Sequence, residues 1–231
     1  MLEVKNLSGG WERTTVVENL TLTLRHGECL ALVGRNGVGK TTLIELISGR
    51  AQQSSGRIEL EGQDISSLSG YARSNLGLGL VPQNREVFPS LTVREHLMVA
   101  ARPGRWTQSS ILELLPRLGQ RLNHLACHLS GGEQQMLAIA RALLGNPKLV
   151  LMDEPSEGLA PRVVEQLADV LKTIIADGTL TMLLVEQRID VAMELSSRFA
   201  IMDRGRIIHT GQSQDVLDGR TKLADLIGLD H

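Results

Sequence analysis

The sequence predicts an α/β fold built on a mostly parallel sheet, and a strand–helix–strand pattern carries this prediction. Three short, almost wholly apolar runs are typical of strands buried on both faces of a parallel sheet, and they lie at residues 29–33, 149–152 and 180–185. Between the last two runs, apolar residues recur at helical spacing from Val163 to Ile174, in a segment that opens with Pro161. Strand, helix and strand in this order form a βαβ unit, whose two strands are parallel.

Alternating and turn-flanked segments predict additional, shorter strands. Leu20, Leu22 and Leu24 alternate with polar residues, which predicts a half-buried strand. Residues 57–60 lie between clusters of turn-forming residues and predict a short antiparallel strand. Two short strands and a small amphipathic helix are predicted near the C-terminus, the strands at residues 199–202 and 206–209.

The middle of the chain, residues 84–145, is rich in helical patterns and contains no convincing strand. The best helical patterns cover residues 91–101, 108–118 and 133–144. We interpret this segment as a helical insertion into the α/β core. Residues 1–231 are therefore predicted to form one domain, in which residues 1–83 and 146–231 supply the core and its antiparallel strands.

Composition excludes several classes of protein. The chain has 231 residues, of which 42% are hydrophobic and 22% charged, and these values predict an ordered globular protein. A formal net charge of −2 argues against a dedicated nucleic-acid-binding protein, so no nucleic-acid partner is expected. Cys29 and Cys127 are too few for a disulfide framework. No secretory signal and no apolar run of membrane-spanning length is visible, so membrane association is expected only through a partner.

A phosphate-binding loop is predicted at residues 34–41, which read GRNGVGKT and match G-x-x-x-x-G-K-[ST] without a mismatch. The loop follows a predicted buried strand and precedes a helical pattern, so its backbone N–H groups and the helix N-terminus can face phosphate oxygens. Lys40 is expected to reach the β- and γ-phosphates, and Thr41 to bind Mg²⁺. The predicted nucleotide contacts of this loop are Gly34, Asn36, Gly37, Gly39, Lys40, Thr41 and Thr42.

Two neighbouring acids, Asp153 and Glu154, end the apolar run at residues 149–152. An acid at the carboxyl end of a parallel strand lies in the crevice beside the phosphate loop. We expect Asp153 to hold a magnesium-bound water and Glu154 to polarise the attacking water, the two roles that hydrolysis requires. Alone this pattern is weak, since buried strands often end in acidic turn residues. Together with the phosphate loop it favours hydrolysis over phosphotransfer.

Residues 129–135, LSGGEQQ, resemble the signature sequence of ATP-binding cassette (ABC) ATPases. The same residues also fit a capping box, in which Ser130 and Glu133 cap the start of a helix. Both interpretations place free N–H groups at a helix N-terminus, which suits an anion. The resemblance implies that Ser130, Gly131 and Gly132 contact the γ-phosphate of ATP held by an opposite subunit. A chain with one copy of each motif should then form a head-to-tail pair that encloses two nucleotides.

Other segments extend the resemblance over residues 2–229. Gln83 resembles the glutamine of the Q-loop, which contacts Mg²⁺ or the attacking water, although a glutamine after a proline is by itself only a loop residue. Trp11 stands where the family places an aromatic residue that stacks on adenine, the alternative being an exposed surface aromatic. The resemblance implies an ABC ATPase fold: a P-loop NTPase core with an antiparallel β subdomain and an inserted helical subdomain at residues 84–145.

Two departures from most ABC ATPases narrow the resemblance. Gln187 occupies the position of the switch histidine, and its amide can donate a hydrogen bond but cannot become a cation. Ala160 occupies the position of an aspartate in the segment that contacts the second subunit. Both features are similar to the second ATPase subunit of branched-chain amino acid importers, and importers of urea and short-chain amides share them. The catalytic residues implied are Glu154, Gln83 and Gln187, and the metal ligands are Thr41, Gln83 and Asp153.

The resemblance implies an ATP-hydrolysing subunit that uses ATP and Mg²⁺. It would power a membrane importer of branched-chain amino acids, or of urea and short amides, from the cytoplasmic face of the cell membrane. The resemblance implies transmembrane permease subunits, a second ATPase subunit that is non-identical or a second copy of this chain, and a binding protein acting indirectly. Phe88 and Pro89 are expected either in a groove for a membrane partner or in the core. The alternatives are an ABC ATPase of another transport system, a soluble ABC ATPase that acts outside transport, and a P-loop kinase or GTPase.

Overall fold

Two sheets and a set of helices form the described part of the molecule. The structure is a computed structural model that describes residues 1–12, 14–221 and 223, so the last residues of the predicted domain lie outside it. The strands among these residues are β1 (Leu2–Trp11), β2 (Thr14–Leu24), β3 (Cys29–Val33), β4 (Gln52–Leu60), β5 (Gln63–Asp64), β6 (Leu78–Val81), β7 (Leu149–Asp153), β8 (Thr181–Val185), β9 (Arg198–Asp203) and β10 (Arg206–Gln212).

Helices pack against both faces of the larger sheet and form about half of the chain between β6 and β7. Within the described residues the α-helices are α1 (Lys40–Ser48), α2 (Gly70–Asn75), α3 (Val93–Ala100), α4 (Gln108–Leu114), α5 (Pro116–Gly119), α6 (Gly131–Leu144), α7 (Pro161–Ile175), α8 (Ile189–Leu195) and α9 (Ser213–Leu217). None of these helices is long and apolar enough to cross a membrane.

The larger sheet has six strands in the order β10-β9-β3-β8-β7-β6, and only the edge strand β10 is antiparallel to its neighbour. Every residue of β3, β7 and β8 is buried, as the three apolar runs predict. Side chains alternate between two cores, because successive residues of a strand point to opposite faces. Val150 and Met152 pack with α6 and α7, whereas Leu149 and Leu151 pack with α1 and the smaller sheet.

The smaller sheet is antiparallel, with the order β2-β1-β4-β5. The alternation at Leu20, Leu22 and Leu24 is confirmed, since these side chains are buried and the residues between them are exposed. The strand predicted at residues 57–60 is also confirmed and begins earlier, at Gln52. The sequence patterns do not predict β1, whose pairing with both neighbours is interrupted by register shifts.

The predicted helix at residues 108–118 is wrong as a single element. Leu115 lies outside helical geometry, with φ −124° and ψ 66°, and separates α4 from α5. The residue before a proline is disfavoured in the α region, and Pro116 then occupies the first position of α5, where it needs no N–H partner. The other two predicted helices are confirmed, and Thr92 and Ser130 cap their N-termini through capping boxes.

A buried arginine joins three pieces of the core. The Arg73 guanidinium donates to the carbonyl oxygens of Leu46 and Ile47 at the end of α1, at 2.7 and 2.9 Å, and to those of Ser66 and Leu68. The last carbonyl groups of a helix lack the usual partner within it. The Leu46 oxygen also accepts from the Gly49 amide at 3.2 Å, whereas Arg73 is the donor found for the Ile47 oxygen among the described residues.

We expect Arg73→Met to lower the free energy of unfolding by about 3 kcal/mol, because four buried or partly buried carbonyl groups lose a hydrogen bond, that of Ile47 among them. Chemical denaturation followed by circular dichroism would measure this loss. The control is Arg206→Met, which removes an exposed arginine whose ion pair within the described part of the chain is with Glu18, and it should change stability by less than about 1 kcal/mol. An unfolding midpoint for Arg73→Met equal to that of the parent would contradict this account of the core.

Candidate nucleotide-binding site

A cavity of about 320 Å³ lies at the carboxyl ends of the central parallel strands. It brings together most of the predicted site residues, which come from four separate segments of the chain. The residues that line it are Val16, Asn36, Gly37, Gly39, Lys40, Thr41, Thr42, Gln83, Glu154, Glu157 and Gln187. Carboxyl ends of parallel strands share one edge of the sheet, and this topology explains why residues distant in sequence meet here.

The loop between β3 and α1 forms one wall of the cavity. Gly37 and Gly39 have φ values of 80° and 108°, in the left-handed region that favours glycine. Gly39 is also the residue that precedes the first turn of α1, so the helix N-terminus opens directly onto the loop. A curled backbone followed by a helix N-terminus presents N–H groups to one point, an arrangement suited to phosphate.

Lys40 is folded back into its own loop. Its ammonium group donates to the carbonyl oxygens of Gly34 and Arg35 at 2.9 and 3.1 Å, and Nζ lies 3.5 Å from Oε1 of Glu154. The side chain is only 4% exposed. A buried cation is therefore held at the base of the cavity by two carbonyl groups and one carboxylate, where incoming phosphate oxygens can bind it.

Asp153 provides a buried carboxylate beside the loop. One of its oxygens, Oδ1, has no hydrogen-bond partner among the described residues. Burial raises the pKa of Asp153 to about 6, with a further contribution from the charge of Glu154, whereas a hydrogen bond from Thr41 acts in the opposite direction. An unpaired carboxylate oxygen next to a hydroxyl group fits a hard divalent cation, which binds oxygen ligands and would compensate the buried charge.

Glu154 and Gln187 meet at the opposite wall. Glu154 follows β7 with φ 48°, an uncommon value for a residue other than glycine, and its amide donates to the carbonyl oxygen of Val185 at 2.9 Å. The Gln187 side chain donates a hydrogen bond from Nε2 to Oε2 of Glu154. The structure thus joins the acid predicted to act on water to the residue predicted at the switch position.

Gln83 reaches the same cavity from the segment after β6. Its Nε2 donates to Oε2 of Glu157 at 2.5 Å, so a second carboxylate lines the cavity beside Glu154. Glu157 is a site residue that the sequence patterns do not predict. Its position three residues after Glu154 is the only signal in the sequence, and a loop offers no periodicity from which its direction could be predicted.

The signature residues lie elsewhere. Ser130, Gly131 and Gly132 form the N-terminus of α6, where the Ser130 hydroxyl accepts from the Glu133 amide at 3.3 Å and the capping box is complete. Ser130 and Gly132 line a separate cavity of about 310 Å³ between α6 and α7. No described residue lines both this cavity and the one at the phosphate loop. Within one chain, the signature therefore does not complete the nucleotide site.

Trp11 also lies outside the described lining of the phosphate-loop cavity. It ends β1, is 47% exposed and pairs in register with Thr14 of β2. Val16, two residues further along β2, does line the cavity. The ring therefore stands on the hairpin that borders the site, with much of its surface open to solvent.

Comparison with known proteins places this site in a family. The ABC transporter family matches residues 17–157. The high-affinity branched-chain amino acid transport ATP-binding protein BraG of Pseudomonas aeruginosa is 37% identical over 216 residues, covering 90% of this chain and 91% of BraG. The probable branched-chain amino acid transport ATP-binding protein LivF of Archaeoglobus fulgidus is 34% identical, covering 94% of both chains.

Solved structures give the same result. The ATP-binding subunit of an ABC transporter superposes with a TM-score of 0.82 at 30% identity, covering 98% of this chain and 97% of that one. These comparisons confirm the resemblance, the fold class and the ATPase activity that the sequence motifs predict. The chain belongs to the ABC transporter family, as one of its ATP-binding, ATP-hydrolysing subunits.

Proposed function

We propose that two subunits bind and hydrolyse Mg²⁺-ATP as a head-to-tail pair and thereby drive a membrane importer. One observation carries this proposal: the phosphate-loop cavity of a single chain contains Lys40, Glu154 and Gln187 but is separate from the signature residues at Ser130. A second subunit that presents its own signature across the open side would complete the site. In this arrangement each nucleotide is enclosed by two chains, and hydrolysis reopens the pair.

The residues of the loop bind and orient the triphosphate. Backbone N–H groups around Gly37 and Gly39 and the N-terminus of α1 face the phosphate oxygens. Lys40 exchanges its contacts with the carbonyl groups of Gly34 and Arg35 for the β- and γ-phosphates. Trp11 stacks on the adenine ring from the bordering hairpin.

Asp153, Thr41 and Gln83 are the residues that would hold Mg²⁺. The unpaired Oδ1 of Asp153 supports this assignment, as does the Thr41 hydroxyl beside the same carboxyl group. Gln83 would join them only after its hydrogen bond to Glu157 is broken. When bound, the cation neutralises negative charge on the phosphate oxygens during transfer.

Glu154 activates water in this mechanism. Its side chain is nearly buried, lies beside Lys40 and accepts a hydrogen bond from Gln187, so its orientation is fixed before the nucleotide binds. A carboxylate held in this way can accept a proton from water aligned with the γ-phosphate. Gln187 acts as a neutral donor that orients Glu154, a role that needs no histidine cation.

A groove on another face of the molecule supports the proposal of a transmembrane partner. It measures about 610 Å³ and lies between α2, α3, α6 and β6, with Tyr71 and Val99 each 76% exposed at its rim. Phe88 does not line the groove, but it is 55% exposed and lies under the guanidinium of Arg141, which does, so Phe88 borders the groove and is not a core residue. We propose that a cytoplasmic helix of a permease subunit binds in this groove.

Contacts from this groove lead to Gln83. Arg50 and Arg141, which line the groove, both bind Glu86: Arg50 through a bidentate ion pair at 2.7 and 2.9 Å, and Arg141 through the backbone carbonyl oxygen at 2.7 Å. Glu86 lies three residues after Gln83 in the loop that follows β6. A helix bound in the groove would therefore act on the loop that carries Gln83.

The proposed solute class is supported by the named relatives and by two residues that differ from most ABC ATPases. BraG and LivF are described as branched-chain amino acid transport proteins, and Gln187 and Ala160 fit that subgroup. We propose branched-chain amino acids or, as the second candidate, urea and short amides, with the subunit at the cytoplasmic face and a binding protein supplying the solute. Its ATPase partner is a non-identical subunit or, in isolation, a second copy.

Residues 84–145 would form the signature-bearing subdomain, and residues 1–83 and 146–231 the core.

Complementation between two inactive variants tests the composite site. We expect Lys40→Met and Ser130→Arg each to abolish ATP hydrolysis, the first by removing a phosphate ligand and the second by blocking the signature. In a mixed pair, one of the two sites combines an intact loop with an intact signature. Random pairing of equal amounts should then restore about a quarter of the parent rate, measured as phosphate release.

The control for this experiment is Ser109→Arg, which places the same side chain at an exposed position on α4 and should leave the rate unchanged. A mixture as inactive as its components would contradict the composite site. So would a Ser130→Arg chain that hydrolyses ATP at the parent rate.

A further inference from the structure

A buried carboxylate that has no role in the mechanism above lies directly behind the cavity wall formed by Glu154 and Gln187. Glu186 follows β8, is 1% exposed and immediately precedes Gln187. Its Oε1 accepts from the Ser156 amide at 3.0 Å, and its Oε2 accepts from the Ser156 hydroxyl at 2.9 Å. The amides of Gln187 and Arg188 also donate to Oε2, at 3.2 and 3.4 Å. Four donors thus converge on one carboxyl group.

These hydrogen bonds compensate the free-energy cost of burying the Glu186 carboxylate. Burial raises the pKa of Glu186, whereas the hydrogen bonds from Ser156 and from the following amides act in the opposite direction. A buried acceptor without partners is destabilising, so the carboxylate and the two loops are mutually dependent. Ser156 is itself buried, which leaves little room for either loop to rearrange.

The contacts continue the pairing of two strands beyond their ends. β7 and β8 pair in parallel up to Asp153 and Val185. The Glu154 amide then donates to the Val185 carbonyl, and the Gln187 side chain donates to the Glu154 carboxylate. The Glu186–Ser156 contact is the last in this series, and it connects the residue before Gln187 to the residue two positions after Glu154.

We propose that Glu186 is a positioning residue for ATP hydrolysis, which binds Ser156 and thereby holds Glu154 and Gln187 in register at the γ-phosphate side of the cavity. The proposal rests on the roles of Glu154 and Gln187 given above. Glu186 does not touch the nucleotide. Its effect is on the turnover step, because the distance between two catalytic side chains matters most in the transition state.

A glutamine cannot replace Glu186 without loss. Each carboxylate oxygen accepts from at least one backbone N–H group, Oε1 from Ser156 and Oε2 from Gln187 and Arg188. An amide in either orientation would point its NH₂ group at one of these donors and leave that N–H unpaired. Glu186→Gln therefore keeps the size of the side chain and breaks one side of the connection.

The experiment compares Glu186→Gln, Ser156→Ala and the double variant. We expect Glu186→Gln to lower kcat at least about tenfold while its affinity for trinitrophenyl-ATP stays within about twofold of the parent. Ser156→Ala should also lower kcat. The double variant should be no slower than Glu186→Gln alone, because both changes break one contact.

The matched control is Glu28→Gln. Glu28 is also a buried carboxylate, but it precedes β3 at the opposite end of the sheet and pairs with Arg198 at 2.8 Å. This variant should lower the melting temperature and leave kcat at the parent value. A Glu186→Gln variant with the same behaviour would overturn the proposal, as would fully additive losses in the double variant.

Two measurements keep this inference separate from the proposed function. If Glu154→Gln hydrolysed ATP at the parent rate, the proposed mechanism would fail; if it were inactive while Glu186→Gln turned over normally, only the role of Glu186 would fail. Hydrogen exchange supplies a readout independent of activity. At least one of the two amides, Ser156 or Gln187, should exchange about tenfold faster in Glu186→Gln, with β7 and β8 unchanged, and parental protection at both amides would contradict the proposal.

Discussion

Glu154→Gln is expected to lower kcat for ATP hydrolysis at least about 100-fold while ATP still binds. The amide has the size and shape of the carboxylate and retains an oxygen that can accept from Gln187. It cannot accept a proton from water, and it loses the charge that faces Lys40 at 3.5 Å. The loss therefore falls on turnover, as expected for an interaction needed in the transition state.

Phosphate release and calorimetric titration with Mg²⁺-ATP would measure turnover and binding separately. Glu165→Gln is the control, since Glu165 is an exposed acid on α7 and its replacement should change neither quantity. Hydrolysis by Glu154→Gln within about threefold of the parent rate would show that another group activates water.

Lys40→Met is expected to weaken ATP binding at least about 100-fold. Lys40 supplies a nearly buried positive charge at the base of the cavity, and a hydrogen bond to a charged group is worth about 1.5–3 kcal/mol. Loss of contacts with two phosphates corresponds to about two orders of magnitude in the dissociation constant. The substitution also removes the cation beside Glu154 and the hydrogen bonds that Lys40 donates to the carbonyl oxygens of Gly34 and Arg35.

Calorimetric titration with Mg²⁺-ATP would measure this loss, and a thermal unfolding curve would verify that the variant is folded. Lys148→Met is the control, because Lys148 is largely exposed and its ion pair among the described residues is with Glu61, at 3.6 Å. A dissociation constant for Lys40→Met close to that of the parent would mean that the loop holds phosphate through its backbone alone.

The parallel core and the nucleotide site could be predicted because their physical requirements leave a clear local pattern. Strands buried on both faces need continuous apolar runs, and β3, β7 and β8 have them. A loop that curls around phosphate needs glycine at fixed positions, and Gly37 and Gly39 adopt the left-handed conformations that such a loop uses. Parallel topology then places Asp153 and Glu154 at the same edge of the sheet.

Other features depend on contacts between distant residues and leave no such pattern. β1 contains glycines, a residue with positive φ at Asn6 and several register shifts, so its alternation is broken in the sequence. The directions of Glu157 and Glu186 are set by Gln83 and Ser156, which lie on other loops. The break at Leu115 could have been predicted from Pro116, whose effect on the preceding residue is local.

The molar mass of the Glu154→Gln variant, measured by light scattering with saturating Mg²⁺-ATP, tests most directly whether two chains enclose each nucleotide. ATP that binds without being hydrolysed should hold the pair closed, and the mass should rise from the 25.2 kDa of one chain to about twice that value. Adding Ser130→Arg to the same variant should return it to the mass of one chain. Two results together would contradict the account: the variant binds ATP fully but remains a monomer, and the parent chain hydrolyses ATP as a monomer.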